Sequence, residues 1–293
     1  MRKFTLGIVN YGKEFCLRLA NARVTEAALF AANKENEELA VEIKRLNQEL
    51  DQFAYIISHD LKAPVRNISS FMKLLSNRFS TTLPPDGKEF IHMAQICSDR
   101  LGQQIDDMLS YCRVNRNLPP AADIDLNEVV RTISMELSAK LNEANAEIIV
   151  EKGLPLLKDA HSSMIYQVMQ NLVANGIKFN NNPNPVVVID YKEEADRVCF
   201  SVNDNGIGIP KGFEGKLFQM FKRLHTQDQF EGTGIGLALC KKIVTFYKGE
   251  IWYESGKGTG TTFYFTLPKH MVGHAMPKLP GLTIQVNLVS KAA

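Results

Sequence analysis

Four short segments carry residue types that can do chemistry. The first is SHDLKAP, Ser58 to Pro64. A neutral imidazole nitrogen, such as that of His59, is a nucleophile at physiological pH. The adjacent Asp60 can accept a hydrogen bond from the other ring nitrogen, or take the proton released when His59 becomes bonded to phosphorus. Taken alone, the pair also fits a solvated helix surface. The second segment is NLVANGIKF, Asn171 to Phe179. Asn171 and Asn175 are one helical turn apart and share a face, with Lys178 nearby. Carboxamide oxygens suit Mg2+, a hard cation that keeps several waters and binds phosphate oxygens as well. Lys178 adds positive charge for a phosphate. On their own these residues are more simply the polar face of a helix whose Leu172, Val173 and Ile177 are core.

The other two segments are rich in glycine. DNGIGIP, Asp204 to Pro210, directly follows a strand pattern. A carboxylate at a strand end can accept from the exocyclic amine of adenine, and Gly206 and Gly208 let the backbone approach a flat base. A glycine turn capping a strand is the plainer alternative. In EGTGIGLALCKKIV, Glu231 to Val244, the residues Gly232, Thr233, Gly234 and Gly236 lead into an apolar helix at Leu237. Such a loop presents backbone N–H groups and the positive end of the helix dipole to phosphate oxygens. Its GxGxG spacing differs from the dinucleotide pattern GxGxxG, and it lacks the GK[ST] of a P-loop. A dehydrogenase or a P-loop enzyme is thereby disfavoured.

Two kinds of architecture must position these segments. Leu39, Ile43, Leu46, Leu50, Phe53 and Ile57 recur at gaps of 4, 3, 4, 3 and 4, the heptad seam of a coiled coil. No Pro or Gly interrupts residues 14–63. A helix from about 25 to 63 is ~58 Å long and cannot bury its stripe alone, so a parallel dimer is expected. His59 falls at an outer heptad position, and its ring should face solvent. Pro64 should interrupt and kink the helix. The pattern resumes with Ile68, Phe71, Leu74 and Leu75, turns at STTLPPDG (80–87), and returns with Phe90, Ala94, Cys97, Leu101, Ile105, Met108 and Cys112 on one face. This is a helical hairpin, and two hairpins make a four-helix bundle. NLPPAA, 117–122, reads as a linker and hinge.

After Asp123 strands and helices alternate. Strands are expected at 148–151, 186–192, 198–203, 250–254 and 261–267, and helices at 127–143, 162–179 and 234–247. Asn127 reads as the cap of the first helix. This is an α/β domain. From Lys269 onward periodicity fades and the tail is expected to be flexible.

Composition narrows the partners. Across 293 residues, 34 Lys and Arg against 32 Asp and Glu give a net charge of +2, no electrostatic case for nucleic acid. A membrane-spanning helix needs ~20 apolar residues, and no such run exists, so no direct membrane insertion is expected. The five cysteines are scattered without a CxxC, which fits reduced thiols in the cytoplasm.

Taken in order, the motifs resemble those of the two-component sensor histidine kinases. The resemblance covers residues from about 40 to 268. SHDLKAPVRN is similar to their histidine box, NLVANGIKF to their asparagine box, DNGIGIP and GTGIGL to their glycine boxes, and LFQMFKRLH (Leu217 to His225) to their phenylalanine box. GKGTGTTFYFTLP, 256–268, is similar to their closing strands. The resemblance implies a short extension (1–24), a coiled-coil signalling helix (25–50), a dimerisation and phosphotransfer hairpin (51–116), a Bergerat-type two-layer α/β sandwich that binds ATP (123–268) and a tail (269–293). It implies that His59 attacks the γ-phosphorus of ATP, and that the phosphoryl group passes to an aspartate of a separate response regulator. By matching positions, Asn175 would hold Mg2+ with Asn171 assisting, and Lys178 would contact phosphate. Phe179, where the family often has tyrosine, would stack beside the base. Asp204 would read adenine, and Gly206 and Gly208 would shape its pocket. Gly232, Thr233, Gly234, Gly236 and Leu237 would line the triphosphate site. Arg223 would neutralise charge from a lid over residues 212–233.

Two residues depart from the family. Ala63 stands four residues after the histidine, where Thr or Asn often orients water, so weak phosphatase activity toward the regulator is expected. Gly176 replaces the usual alanine after Asn175. Glycine inside a helix costs ~1 kcal/mol relative to alanine, which reads as a loosening of the metal-binding turn. Residues 1–24 are too short for a sensor domain, so a sensor protein or a missing sensor domain is expected upstream. A Bergerat-fold serine kinase or ATPase, and a degenerate dimeric ATP-binding scaffold, are the competing readings.

Overall fold

The structure, a computed structural model, describes residues 2–114, 118–210, 212–213, 215–224, 230, 232–256, 258–275 and 283–284. Two compact units divide the chain, Met1–Ala54 and Tyr55–Ala293. The first is helical from Arg2, as the leading part of α1 (Arg2–Arg78). Its charged positions pair along the helix: the Arg45 guanidinium meets Glu42 and Glu49 at 2.8 Å each. Leu39, Ile43, Leu46 and Leu50, the expected seam, lie exposed.

The second unit begins with the rest of α1 and the antiparallel partner the sequence implied, α2 (Pro85–Arg113). Val65, Ile105 and Leu109 form a small core between them, joined by Tyr55. Polar contacts lie alongside. The Ser69 hydroxyl lies 2.8 Å from that of Ser98 and donates to Asp99 (2.9 Å), and Lys62 meets Asp106 at 2.5 Å. Pro64 was expected to interrupt the helix, yet it lies inside α1. A proline forfeits one helical hydrogen bond; the turn after it is held by burial of Val65 and by the Ser98 hydroxyl donating to the Val65 carbonyl (3.2 Å). Ile68, Phe71, Leu74, Phe90, Met93, Ile96 and Leu101 remain exposed. That stripe is too apolar for a surface meant to stay in water.

The α/β part comprises β1 (Ala122–Asp125), α3 (Leu126–Glu136), α4 (Ser138–Ala144), β2 (Glu147–Val150), β3 (Pro155–Ala160), α5 (Ser162–Lys178), β4 (Val186–Glu193), β5 (Arg197–Asp204), α6 (Gly236–Phe246), β6 (Ile251–Ser255), β7 (Thr261–Pro268), β8 (Val272–Ala275) and β9 (Thr283–Ile284). The main sheet runs β6-β7-β5-β4-β2-β9, and β1-β3-β8 form a second. Within the main sheet only β2 and β4 pair in parallel; the other pairs are antiparallel. Alternation along the strands puts Val187, Ile189, Phe200, Val202, Phe263 and Phe265 on the inner face. There they meet Met169, Leu172 and Val173 of α5 and Leu239 and Ile243 of α6. Helices on one face of a sheet give the expected two-layer sandwich.

Some expectations need correction. The helix expected over 127–143 breaks at Leu137 into α3 and α4, although no Gly or Pro marks the break. The cap of α3 is Asp125, whose carboxylate accepts from the Asn127 N–H (2.8 Å). Asn127 instead ties the helix to the loop before β3, donating to the Leu154 carbonyl and accepting from its N–H. The tail is ordered at its start: Lys269–Met271 form a short 3-10 turn and β8 pairs with β3. Of the linker, residues 118–122 are described and anchored, with Leu118 against the core and the Pro119 carbonyl 2.9 Å from the His161 ring.

Candidate functional site

One end of the candidate site is a buried carboxylate surrounded by backbone. Asp204 ends β5 at 8% exposure. Its Oδ1 accepts from the N–H of Gly206 (2.9 Å) and of Thr261 (3.1 Å), which leaves Oδ2 for another donor. Burial pushes this carboxyl up to about 6, and the two N–H donors only partly offset that. Close approach explains the glycines. A Cβ on Gly206 would stand 2.3 Å from the Phe179 carbonyl oxygen, and one on Gly260 1.8 Å from that of Asp204. Gly208 has φ +73° and faces the Gly256 carbonyl, 2.0 Å from where a Cβ would be. Thr261, Gly256 and Gly260 were not singled out as site residues; the GKGTG stretch before β7 was the signal available for the glycines.

The other part of the candidate site lies where α5 meets the start of α6. Gly232 and Gly234 take φ of +139° and +75°, a region that excludes most side chains. A Cβ on Gly232 would be 2.7 Å from Lys178 Nζ, and one on Gly236 2.4 Å from Asn171 Oδ1. Lys178 and Asn171 therefore abut the glycine loop directly. Asn171 donates to the Gln167 carbonyl (2.8 Å) with its amide nitrogen, and its oxygen faces Gly236. Asn175 lies one turn further along α5 and is half-buried. Leu237 follows in the first turn of α6 and packs on the core.

Aromatic and cationic groups close one side. The Phe179 ring is 5.0 Å from that of Phe230, and Lys178 Nζ lies 4.2 Å from the Phe179 centroid. Arg223 donates to the Phe230 carbonyl, and the Phe221 N–H donates to the Gly234 carbonyl (3.0 Å). The expected lid is described only at 212–213, 215–224, 230 and 232–233; His225 and Glu231 lie outside the described residues. Thr233 is buried, and its hydroxyl donates to Asp107 of α2 at 2.5 Å.

Gly176 also has a packing role. A Cβ there would meet Val187 at 2.9 Å and the Asp204 Cβ at 3.1 Å. Its absence lets α5 pack down on β4 and β5, directly behind the buried carboxylate.

The phosphotransfer candidate is on the hairpin. His59 projects into solvent with its side chain 70% exposed, as its outer heptad position predicted. Its Nδ1 lies 3.2 Å from Asp60 Oδ1. A proton on Nδ1 shared with Asp60 leaves Nε2 with a free lone pair. Among the described residues there is no cluster of His, Cys, Asp and Glu suited to a metal ion, and no helix is long and apolar enough to cross a membrane.

A buried carboxylate, a glycine loop at a helix N-terminus and an adjoining asparagine helix on a two-layer sandwich have the make-up of a nucleotide-binding module, here preceded by a histidine-bearing hairpin. Comparison with known proteins agrees. Residues 160–271 match the family described as histidine kinase-, DNA gyrase B-, and HSP90-like ATPase, and residues 49–116 match the His Kinase A (phospho-acceptor) domain. The chain belongs to the two-component sensor histidine kinases. The phytochrome-like protein Cph1 of Synechocystis sp. is 41% identical over 235 residues, covering 80% of this chain and 31% of that protein. The chain thus spans about a third of the length of the first curated relatives it matches. Two solved structures share the fold. Full-length ShkA in complex with AMPPNP has a TM-score of 0.60 at 23% identity, over 78% of this chain and 47% of that one. Histidine kinase ThkA in complex with the response regulator protein TrrA has a TM-score of 0.51 at 24% identity, over 73% and 61%.

Proposed function

We propose that this chain is the kinase core of a two-component system, which phosphorylates itself on His59 from ATP and passes the phosphoryl group to an aspartate of a separate response regulator. One observation carries the reading. A buried carboxylate whose Oδ1 takes two backbone N–H donors packs against Gly176 of α5, and a glycine loop abuts Asn171 and Lys178 of the same helix, while an exposed His59–Asp60 pair stands on the hairpin. Asp204 accepts from the adenine amine and Phe179 lies against the base. Lys178, Arg223 and the N–H groups of Gly232, Thr233, Gly234 and Gly236 take the triphosphate.

Nε2 of His59 attacks the γ-phosphorus. The bond from that phosphorus to the bridging oxygen breaks, ADP leaves with the electron pair, and the Nδ1 proton is held toward Asp60. Mg2+ fits the donor set: Asn175 and Asn171 would hold it through neutral carboxamide oxygens. When bound, it neutralises charge on the phosphates. The activity is expected in the cytoplasm, where ATP is available.

The exposed stripes on α1 and α2 support a homodimer in which a second copy completes a four-helix bundle. ThkA, which shares the fold, was solved with its response regulator protein TrrA. That supports a separate regulator as the acceptor here, with a sensor protein or sensor domain upstream.

The test is autophosphorylation with Mg-ATP labelled in the γ-phosphate, for the wild type, for His59→Gln, and for a mixture of His59→Gln with an Asn175→Asp variant. Acid-labile label is expected in the wild type and absent in His59→Gln. Label in the mixture reports transfer between subunits. Nucleotide binding with no phosphohistidine would instead favour the scaffold reading.

A further inference from the structure

Asp107 is the residue that the reaction described above does not use and the geometry singles out. It projects from α2 of the hairpin onto the glycine loop, where its Oδ2 accepts the Thr233 hydroxyl at 2.5 Å. Its Oδ1 is held by the Gln103 amide (2.8 Å). A second contact joins α2 to the helix that the loop leads into: Lys242 Nζ of α6 lies 4.1 Å from the ring centroid of Tyr111 on α2. A cavity of about 310 Å³ lies among α2, α5 and the start of α6, lined by Asp106, Asp107 and Ser110 on one side and by Tyr166, Asn171 and Gly236 on the other. Asp107 therefore places an anion on a loop whose N–H groups, dipole end and Lys178 all favour an anion.

We propose that Asp107 is an autoinhibitory latch: its carboxylate occupies the triphosphate loop through Thr233 and holds the nucleotide module on the hairpin, so that latch and triphosphate exclude one another. The inference rests on reading residues 232–236 as the triphosphate loop. The exclusion has two sources. One hydroxyl proton cannot be donated to Asp107 and to a phosphate oxygen at once, and a carboxylate against a polyphosphate is a like-charge pair in partly dry surroundings. ATP then acts as the key. Filling the site breaks the Asp107–Thr233 bond and frees the module to move toward a histidine. Apparent affinity is lowered by the fraction of molecules latched. A latch closed in about nine molecules out of ten weakens ATP binding ~10-fold.

The test uses the full chain. Binding of ATP and of adenosine, each with Mg2+, is measured by calorimetry for the wild type, Asp107→Ala and Asp107→Asn, with thermal melting as the check on folding. Asp107→Ala is expected to bind ATP ~5- to 10-fold tighter, and Asp107→Asn, which keeps an acceptor without the charge, to fall between. Adenosine, lacking phosphates, should bind all three alike. Unchanged or weaker ATP binding in a folded Asp107→Ala, or equal tightening for adenosine, overturns the latch. A wild type that binds neither ligand overturns the nucleotide reading itself, and the latch with it.

Discussion

Asp204→Asn should make the nucleotide module more stable and less able to bind adenine. In the wild type the carboxyl is buried and its charged form disfavoured, so that it titrates near about 6 instead of the ordinary 3.8. At 1.36 kcal/mol for each factor of ten, that difference corresponds to a ceiling of ~3 kcal/mol. The native carboxyl keeps its proton up to about pH 6, whereas the unfolded one loses it near 3.8. Stability therefore falls as pH rises across that window, and the full cost is present above it. Asparagine removes the charge yet retains an oxygen at Oδ1, which can still accept from Gly206 and Thr261. For a unit of this size ~1 kcal/mol moves the melting temperature by about 2–4 °C. The variant should melt several degrees above the wild type at pH 7.5, with the gap closing below pH 4.

Binding should move the other way. The oxygen left for the adenine amine becomes an N–H donor, and a lost hydrogen bond to a charged group is worth about 1.5–3 kcal/mol. Adenosine affinity should drop by roughly one to two orders of magnitude. Wild-type adenosine affinity should also weaken as pH falls through about 6, a dependence the variant lacks. Calorimetric melting across pH, paired with adenosine titrations, reads both effects. A variant that melts below the wild type at pH 7.5, or whose advantage does not depend on pH, would refute the argument that burial of this charge is the dominant cost.

Two further outcomes follow from the geometry. Gly176→Ala brings a methyl group within 2.9 Å of Val187 and 3.1 Å of the Asp204 Cβ; overpacking costs of ~1–3 kcal/mol should match or outweigh a helix-propensity gain of ~1 kcal/mol, so a lower melting temperature and weaker adenosine binding are expected, and a rise in both would show that the site has room. Ala63, exposed one turn after His59 on α1, has no group to orient water; Ala63→Thr should raise dephosphorylation of a phosphorylated regulator at least ~10-fold, and an unchanged rate would remove this residue from the explanation.

The parts of the fold with clean periodicity were legible. The helix through Leu39 to Leu50, the hairpin, and the alternating strands at β4, β5 and β7 all follow from spacing alone. What failed lacked a periodic signal. The strand β3 opens on Pro155, has an irregular register after it, and carries Asp159 at φ +48°, so no alternation announces it. The break at Leu137 has no breaker residue. The strand β8 depends on a partner more than 100 residues earlier in the chain, a distance at which local pattern says nothing.

The candidate site was legible in its side chains and illegible in its backbone. Asn171, Lys178, Phe179 and Asp204 were visible because their chemistry is carried by residue type. The Thr261 N–H and the Phe179 carbonyl are positioned by tertiary contact and could not be read from type. Gly176 shows why this matters. By propensity it is a weak point in a helix; in space it is the clearance that lets α5 approach Val187 and Asp204. The same close approach that dries the carboxylate raises its proton affinity and fixes its direction by two backbone donors. A looser helix would lower the cost of the buried charge by letting water in, and would lose the directed acceptor with it. With Asp204 in the proposed role, stability and base recognition are opposed at one residue, and the glycine behind it sets where the balance falls.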